Sequence, residues 1–111
     1  MLMTNGLSSM GFSLPAAIAA KLVHPSRPVA CFTGDGGLAM VQVELQLAAS
    51  LRIDPLVIVF CDSSLNRIEL KQARRHYPSW GKLCSIPWTS SVWRPLVVGA
   101  KIDPSQYAAQ F

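Results

Sequence analysis

The chain has 111 residues, a hydrophobic fraction of 50% and a formal net charge of +4 at pH 7. This length fits one small domain, and the apolar content suffices to bury a core, which excludes an intrinsically disordered chain. The positive charge is concentrated in residues 67–82, where the solvated face of one helix is the commoner explanation. We therefore expect no nucleic-acid partner.

The cysteines and the hydropathy pattern bear on the cellular setting. Cys31, Cys61 and Cys84 are odd in number and show neither a CxxC motif nor Cys/His metal spacing. We expect Cys31 and Cys61, at the ends of apolar runs, to be inert core thiols. No apolar stretch approaches the roughly 20 residues that span a bilayer, and the first residues lack the pattern of a signal peptide. These features predict a cytoplasmic protein with no membrane partner.

The first third of the chain predicts a loop, a helix and a strand. Residues 6–11 are rich in glycine and serine, which is typical of a loop. Residues 14–23 predict a helix that is apolar almost all round and hence buried, with Ser13 as its cap and Pro15 in its first turn. A short apolar run then predicts a buried strand at about residues 28–33.

A glycine-rich turn carrying one carboxylate follows this strand. Gly34, Gly36 and Gly37 surround Asp35, and glycines let the backbone turn sharply and approach a ligand closely because they carry no Cβ atom. The start of the next helix offers N–H groups that suit a phosphate. A carboxylate beside a diphosphate is repelled unless a divalent cation lies between them. The turn therefore predicts a metal–diphosphate site at the carboxyl end of a strand.

The remaining pattern alternates helix and strand. Residues 40–51 predict a second helix, and the β-branched run at residues 56–61 predicts a strand covered on both faces. A polar loop leads to a third helix over residues 65–76. This alternation predicts parallel strands joined by right-handed crossovers. The pattern is irregular over residues 77–95, and residues 96–100 predict a last strand.

A second carboxylate follows the second predicted strand. Asp62 comes directly after residues 56–61, as Asp35 comes after the first strand. If the two strands are neighbours, both side chains emerge at the same edge of the sheet, where open parallel sheets bind ligands. Two carboxylates and a loop carbonyl, completed by phosphate oxygens and water, form a six-oxygen shell suited to Mg²⁺.

Three segments together resemble a known family. Residues 6–18, the Gly-Asp-Gly-Gly sequence at 34–37 and the Cys-Asp pair at 61–62 are similar to the diphosphate-binding domain of thiamine diphosphate enzymes, closest to the acetolactate synthase, benzoylformate decarboxylase and pyruvate decarboxylase group. The resemblance implies an α/β fold with a three-layer parallel sheet flanked by helices. It implies that residues 1–111 form a partial domain, with an internal deletion in the irregular residues 77–95. It also implies thiamine diphosphate and Mg²⁺ as cofactors, a 2-oxo acid substrate, and lyase or transferase chemistry.

The resemblance assigns roles residue by residue. The carbonyl of Ser8 and the N–H of Met10 would hold the aminopyrimidine edge, and the Met10 side chain would prop the cofactor into a bent shape. The cofactor-binding set that it implies is Ser8, Met10, Gly34, Asp35, Gly36, Gly37, Asp62 and Leu65. The metal ligands that it implies are Asp35, Asp62 and the carbonyl of Ser64.

The sequence also departs from the family pattern. Cys61 stands where an asparagine is usual, Ile68 where pyruvate decarboxylases carry a catalytic glutamate, and Lys71 where many acetolactate synthases carry a tryptophan. No residue of this chain is therefore assigned a catalytic role. Family members are homo-oligomers with a pyrimidine-binding domain whose glutamate acts on the cofactor, and nothing here resembles that domain. We expect the chain alone to be inactive and its partner to be that domain or a second subunit.

Two other hypotheses are open at this stage. Gly34, Gly36 and Ala39 fit the G-x-G-x-x-G/A fingerprint of dinucleotide-binding folds. Against it stand the acidic Asp35 inside the turn, the second acidic loop and the segment around Met10. The chain can also be a non-catalytic fragment that only binds diphosphate or packs against a partner. A P-loop is excluded because no Gly-Lys-Ser/Thr follows the turn.

Overall fold

Helices and strands alternate along the chain, as the pattern predicts. The computed structural model describes residues 1, 3, 5–62, 65–80 and 97–101. The elements in chain order are α1 (Ser13–Val23), β1 (Ala30–Gly34), α2 (Asp35–Val41), α3 (Glu44–Ser50), β2 (Leu56–Cys61), α4 (Asn66–Arg74) and β3 (Val97–Lys101). None of the helices within these ranges is long and apolar enough to cross a membrane.

The strands form one parallel sheet in the order β1-β2-β3. Cys31 pairs with Val57, which in turn pairs with Val97. The structure thereby confirms the predicted class, an incomplete α/β fold with a parallel sheet flanked by helices. It also confirms the three predicted strands to within a residue or two at each end. Most of the region expected to be irregular, residues 81–95, lies outside the described residues.

The core lies between α1, α2 and α3 and one face of the sheet. Because side chains alternate between the two faces of a strand, only every second residue of β1 and β2 points at these helices. The fully apolar members of this core are Leu14, Ala17, Ile18, Cys31, Leu38, Leu45, Ala48, Val57 and Val59. Burial of these side chains is the main favourable contribution to folding.

The opposite face of the sheet is apolar but incompletely covered. Phe32 is 58% exposed and Phe60 40% exposed, although both lie on strands that were expected to be buried. The prediction that β2 is covered on both faces is therefore wrong, because α1, α2 and α3 all contribute to the core on one face. We call this surface the open face; its apolar members are Ala30, Phe32, Leu56, Ile58, Phe60, Val98 and Ala100.

The first helix differs from its prediction in two respects. It begins at Ser13 itself and its N-cap is Phe12, with no side-chain cap bond, so the predicted serine cap is wrong. It is also not buried all round, because Leu22 is 53% exposed and Val23 is 70% exposed. Only the stripe that faces β1 is covered. At its end the N–H of His24 donates to the carbonyl of Ala20.

The second predicted helix is two helices, and it starts earlier than predicted. α2 begins at Asp35, directly after β1, and a turn at Gln42 and Val43 separates it from α3. Glycine costs about 1 kcal/mol relative to alanine inside a helix, so local propensity argues against this start. Gly36 and Gly37 are nevertheless buried in the first turn, where tertiary packing outweighs that cost. The predicted sharp glycine turn is thus a helix start.

Candidate functional site

The two carboxylates predicted to act together lie at the same edge of the sheet. Asp35 follows the last residue of β1, and Asp62 follows the last residue of β2. β1 and β2 are parallel neighbours in which Gly34 pairs with Phe60, so the chain leaves both strands at almost the same level. The structure therefore brings Asp35 and Asp62 to the position that the two-strand argument predicts.

The thiol of Cys61 lies at the end of β2, directly before Asp62. The pKa of Cys61 is raised, first by burial of the thiol and then by the negative charges of Asp35 and Asp62. The Cys61 thiol is only half-buried and donates to the carbonyl of Val59 at 3.7 Å. The prediction of a core thiol is confirmed only in part for Cys61, because the residue is half-buried and packs against the core.

The other described cysteine matches its prediction. Cys31 is 3% exposed and belongs to the core. Burial raises its pKa, and a hydrogen bond with the Ser13 side chain partly opposes that rise. A neutral, buried thiol is a poor nucleophile because the thiolate is the reactive form. Cys31 is therefore structural.

The Asp35 carboxylate is held by the start of α2. The backbone N–H of Gly36 donates to Oδ1 of Asp35 at 2.7 Å. An acidic side chain in the first turn is also favoured by the positive end of the helix dipole. These two effects hold the Asp35 side chain in place at the carboxyl end of β1.

Two glycines allow the loop of residues 6–11 to contact the first turn of α2. Gly11 has a φ of +83°, and a Cβ built on it would lie 2.8 Å from Cγ1 of Val41. A Cβ on Gly37 would lie 3.0 Å from Oγ1 of Thr33 and 3.5 Å from the backbone nitrogen of Gly11. The loop backbone therefore packs directly on the first turn of α2. Side chains at these positions would push the two segments apart.

A cavity of about 980 Å³ opens beside β1, at the edge that no described strand pairs. Its walls are the loop of residues 8–13, one side of α1 and the whole length of β1. Four residues of the predicted cofactor set line it: Ser8, Met10, Gly34 and Gly37. Ser8 has a φ of +47°, a strained conformation for a residue with a Cβ atom. The loop conformation thus exposes Ser8 and Met10 to the cavity that also contacts the end of β1.

The rest of the predicted set is placed differently. Asp35 and Asp62 stand at the ends of β1 and β2 and do not line this cavity, and Gly36 is buried in α2. Leu65 is the N-cap of α4, and its carbonyl accepts the N–H groups of Ile68 and Glu69. Ser64 lies outside the described residues.

The donor set at this edge fits a hard cation rather than a zinc-type ion. Over the described ranges there is no group of three or more His, Cys, Asp or Glu side chains that could hold a metal. Mg²⁺ commonly binds to one or two protein carboxylates, because water molecules and substrate phosphate oxygens occupy its other coordination positions. The half-buried Asp35 and Asp62 match this number of protein ligands.

Sequence reasoning missed two residues that build the site. Gly11 was included in the loop but was not recognised as its contact with α2. Thr33 is a buried polar residue whose hydroxyl donates to the carbonyl of Gly34 at 3.3 Å. The sequence does offer a signal for Gly11, which is a glycine at the end of a loop, two residues before α1. For Thr33 the strand alternation alone gives no functional signal.

Comparison with known families identifies the class of protein to which this fold, with two carboxylates at one edge of its sheet, belongs. Residues 1–109 match the family described as the C-terminal TPP binding domain of thiamine pyrophosphate enzymes. The match covers nearly the whole chain, so the chain belongs to this family.

Three individual relatives that the chain resembles are acetolactate synthases. The chain is 40% identical over 72 residues to the acetolactate synthase isozyme 1 large subunit of Escherichia coli K12, which covers 65% of this chain and 13% of that protein. It is 35% identical over 75 residues to a catabolic acetolactate synthase of Raoultella terrigena, with 68% and 13% covered. An acetolactate synthase of Bacillus subtilis is 33% identical over 76 residues, again with 68% and 13% covered. The chain thus spans 13% of the length of each of these relatives.

Proposed function

We propose that this chain contributes the diphosphate and Mg²⁺ site of an acetolactate synthase-like enzyme acting on 2-oxo acids. The observation that supports this most is the pair Asp35 and Asp62 at one sheet edge, next to the loop that Gly11 joins to α2. Membership of the thiamine pyrophosphate enzyme family supplies the cofactor, and the acetolactate synthase relatives supply the reaction class.

Each part of the site has a proposed task. Asp35, Asp62 and the carbonyl of Ser64 would hold Mg²⁺, whose charge would offset that of the diphosphate. The start of α2 at Gly34, Gly36 and Gly37, with Leu65, would receive the diphosphate. Ser8 and Met10, on the cavity wall, hold and orient the aminopyrimidine end. When bound, thiamine diphosphate supplies the cleavage and formation of carbon–carbon bonds next to the carbonyl of 2-oxo acids.

The chain's own residues bind and orient the cofactor, and they supply no general acid or base. Ile68, at the place of a catalytic glutamate in one branch of the family, is 48% exposed on α4. A missing acid–base group typically lowers a rate by roughly 10²–10⁴. We therefore propose that turnover requires a pyrimidine-binding domain, from the same enzyme or a second subunit, in a cytoplasmic homo-oligomer with lyase or transferase activity.

One alternative has a specific observation in its favour. The absence of an acid–base group at Ile68 also suits a non-catalytic protein that binds diphosphate and Mg²⁺ or packs against a partner. One experiment distinguishes the enzyme from the non-catalytic protein. A separately produced pyrimidine-binding domain is added to the chain with thiamine diphosphate, Mg²⁺ and pyruvate. Turnover after the addition supports the enzyme; unchanged pyruvate in the presence of bound cofactor supports the alternative. The family match makes a dinucleotide-binding domain the weaker hypothesis.

Calorimetry of cofactor binding tests the site itself. We expect thiamine diphosphate to bind in the presence of Mg²⁺ and to lose its affinity with a chelator or in Asp35→Ala. Asp54→Asn is the matched control, because Asp54 is exposed and pairs with Lys21 at 3.5 Å away from this edge. Equal affinity with and without chelator, or equal loss in both variants, would overturn the proposed metal site.

A further inference from the structure

The loop before α1 has one buried residue. Gly11 is the single buried residue among residues 5–12. Its φ of +83° is a conformation that glycine adopts at little cost. Met10 beside it is 52% exposed, and both Ser8 and Met10 line the cavity next to β1. The contacts at Gly11 therefore help to set where Ser8 and Met10 lie.

The contacts at Gly11 come from α2. A Cβ atom built on Gly11 would lie 2.8 Å from Cγ1 of Val41, 3.7 Å from its Cγ2 and 3.5 Å from the carbonyl oxygen of Gly37. Val41 is half-buried and packs against the core. A valine at a helical position has one strongly preferred χ1 rotamer, so its two methyl groups form a stiff surface. These methyl groups therefore limit where, and how closely, Gly11 approaches α2.

The same helix begins at the proposed metal ligand. α2 runs from Asp35 to Val41, a length of about 9 Å at 1.5 Å per residue. Gly37 lies between the loop and the sheet, because a Cβ built on it would be 3.5 Å from the backbone nitrogen of Gly11 and 3.0 Å from Oγ1 of Thr33. Thr33 is itself buried. This packing leaves little room for the loop to shift relative to Asp35.

We propose that Val41 is a positioning residue, which holds Gly11 on α2 and so sets the distance of Ser8 and Met10 from Asp35. The inference rests on the proposed function, in which Ser8 and Met10 hold the aminopyrimidine end of thiamine diphosphate and the start of α2 receives the diphosphate. Val41 acts through the loop and not by contact with the cofactor, since it is not among the described residues that line the cavity.

The expected effect follows from the cost of ordering a loop on binding. A loop that is already held in its bound position loses less conformational freedom when the ligand binds, so the affinity is higher. Val41→Ala removes two methyl groups from the contact with Gly11 and leaves a space beside the loop. The affinity for thiamine diphosphate should therefore fall several-fold. Inorganic pyrophosphate occupies the diphosphate end alone, so its affinity should change little.

Limited proteolysis of the free chain tests the contact without any cofactor. Chymotrypsin cleaves after large apolar residues, and Leu7, Met10 and Phe12 are exposed sites in the loop. Val41→Ala should raise the rate of cleavage at these sites several-fold, because the loop can then leave α2. Ile53→Ala is the matched control, since Ile53 is also half-buried against the core but lies in the connection before β2. It should lower the free energy of unfolding at least as much and leave cleavage of the loop unchanged.

Calorimetry distinguishes positioning from a general loss of stability. Thiamine diphosphate and inorganic pyrophosphate, each with Mg²⁺, are titrated into the wild-type chain and both variants. We expect only Val41→Ala to lose affinity for thiamine diphosphate relative to pyrophosphate. Val41→Thr keeps the branched shape of the side chain, so it should retain the wild-type ratio of the two affinities.

Three results would contradict the proposal in different ways. Equal cleavage of the loop in Val41→Ala and Ile53→Ala would show that Val41 does not hold the loop. Binding of both ligands by the wild type, with the same ratio of affinities in Val41→Ala, would remove the role of Val41 and leave the proposed function intact. A wild-type chain that binds neither ligand would overturn the proposed function, and the role of Val41 with it.

Discussion

The two faces of one sheet differ more than the sequences of its strands suggest. In β1 and β2, Cys31, Val57 and Val59 are at most 3% exposed, whereas their neighbours Phe32 and Phe60 are 58% and 40% exposed. The larger and more apolar side chains are thus on the less covered face. Strand alternation decides which residues share a face, but the helices decide which face becomes the core. An apolar run therefore identifies a strand without showing that both its sides are buried.

The largest expected effect comes from removing a core side chain. Leu38 is fully buried, and Leu38→Ala should lower the free energy of unfolding by about 2–5 kcal/mol, since it loses apolar burial and leaves a cavity. Leu22→Ala on α1 is the matched control, because Leu22 is 53% exposed. Urea denaturation gives both values. Equal losses in the two variants would show that burial in the core does not determine the cost of removing a leucine side chain.

The next largest effect concerns the loop that packs on α2. Gly11→Ala combines a positive φ with a Cβ placed 2.8 Å from Val41, so we expect a loss of about 2–4 kcal/mol. Gly6→Ala has the same kind of φ, +84°, but no atom within 4 Å of its Cβ, so it should cost only about 1 kcal/mol. Adding Val41→Ala to Gly11→Ala should recover part of the difference. Equal costs for the two glycines would contradict the proposed close contact.

A smaller effect is expected on the open face. Phe60→Ser should change the free energy of unfolding by less than Leu38→Ala does, by about 1 kcal/mol, because 40% of the Phe60 side chain is already in water. Denaturation of the full chain measures this directly. A loss as large as that of Leu38→Ala would mean that the open face is more deeply buried than its exposure indicates.

The most local effect is on the Cys61 thiol at the edge of the core face. Its raised pKa means that less thiolate is present at a given pH, so alkylation should be slow at pH 7–8 and should rise with pH. Asp35→Asn removes one of the two negative charges, so it should lower the pKa and speed alkylation several-fold. Mass spectrometry of chains carrying Cys31→Ser and Cys84→Ser follows Cys61 alone. Asp54→Asn should leave the rate unchanged.

This thiol also serves as a reporter of the proposed metal site. A cation bound between Asp35 and Asp62 would neutralise the same charges that raise the Cys61 pKa. Addition of Mg²⁺ with thiamine diphosphate should therefore change the alkylation rate of Cys61 in the chain that keeps both carboxylates. The rate in Asp35→Asn should not change. An identical response in both would argue against a cation at this position.

The sequence alone predicted the features that depend on local pattern. The β-branched run at residues 56–61 predicts β2, and two acidic residues directly after two strands predict that Asp35 and Asp62 share an edge. Both follow from rules with few alternatives, because parallel neighbours must present their carboxyl ends on the same side. The motifs around the glycines were also enough to indicate the family.

Tertiary structure decided what depends on non-local packing. Gly36 and Gly37 are poor helix formers, yet both lie buried in the first turn of α2. At Gly37 the lack of a side chain lets the loop at Gly11 and the side chain of Thr33 approach the helix. The choice of covered face, and with it the exposure of Phe32 and Phe60, depends on where three helices come together. Helix propensity depends on residues that are neighbours along the chain, whereas burial depends on residues that are far apart in sequence. For this reason sequence patterns alone predict neither the start of α2 nor the side of the sheet on which the core forms.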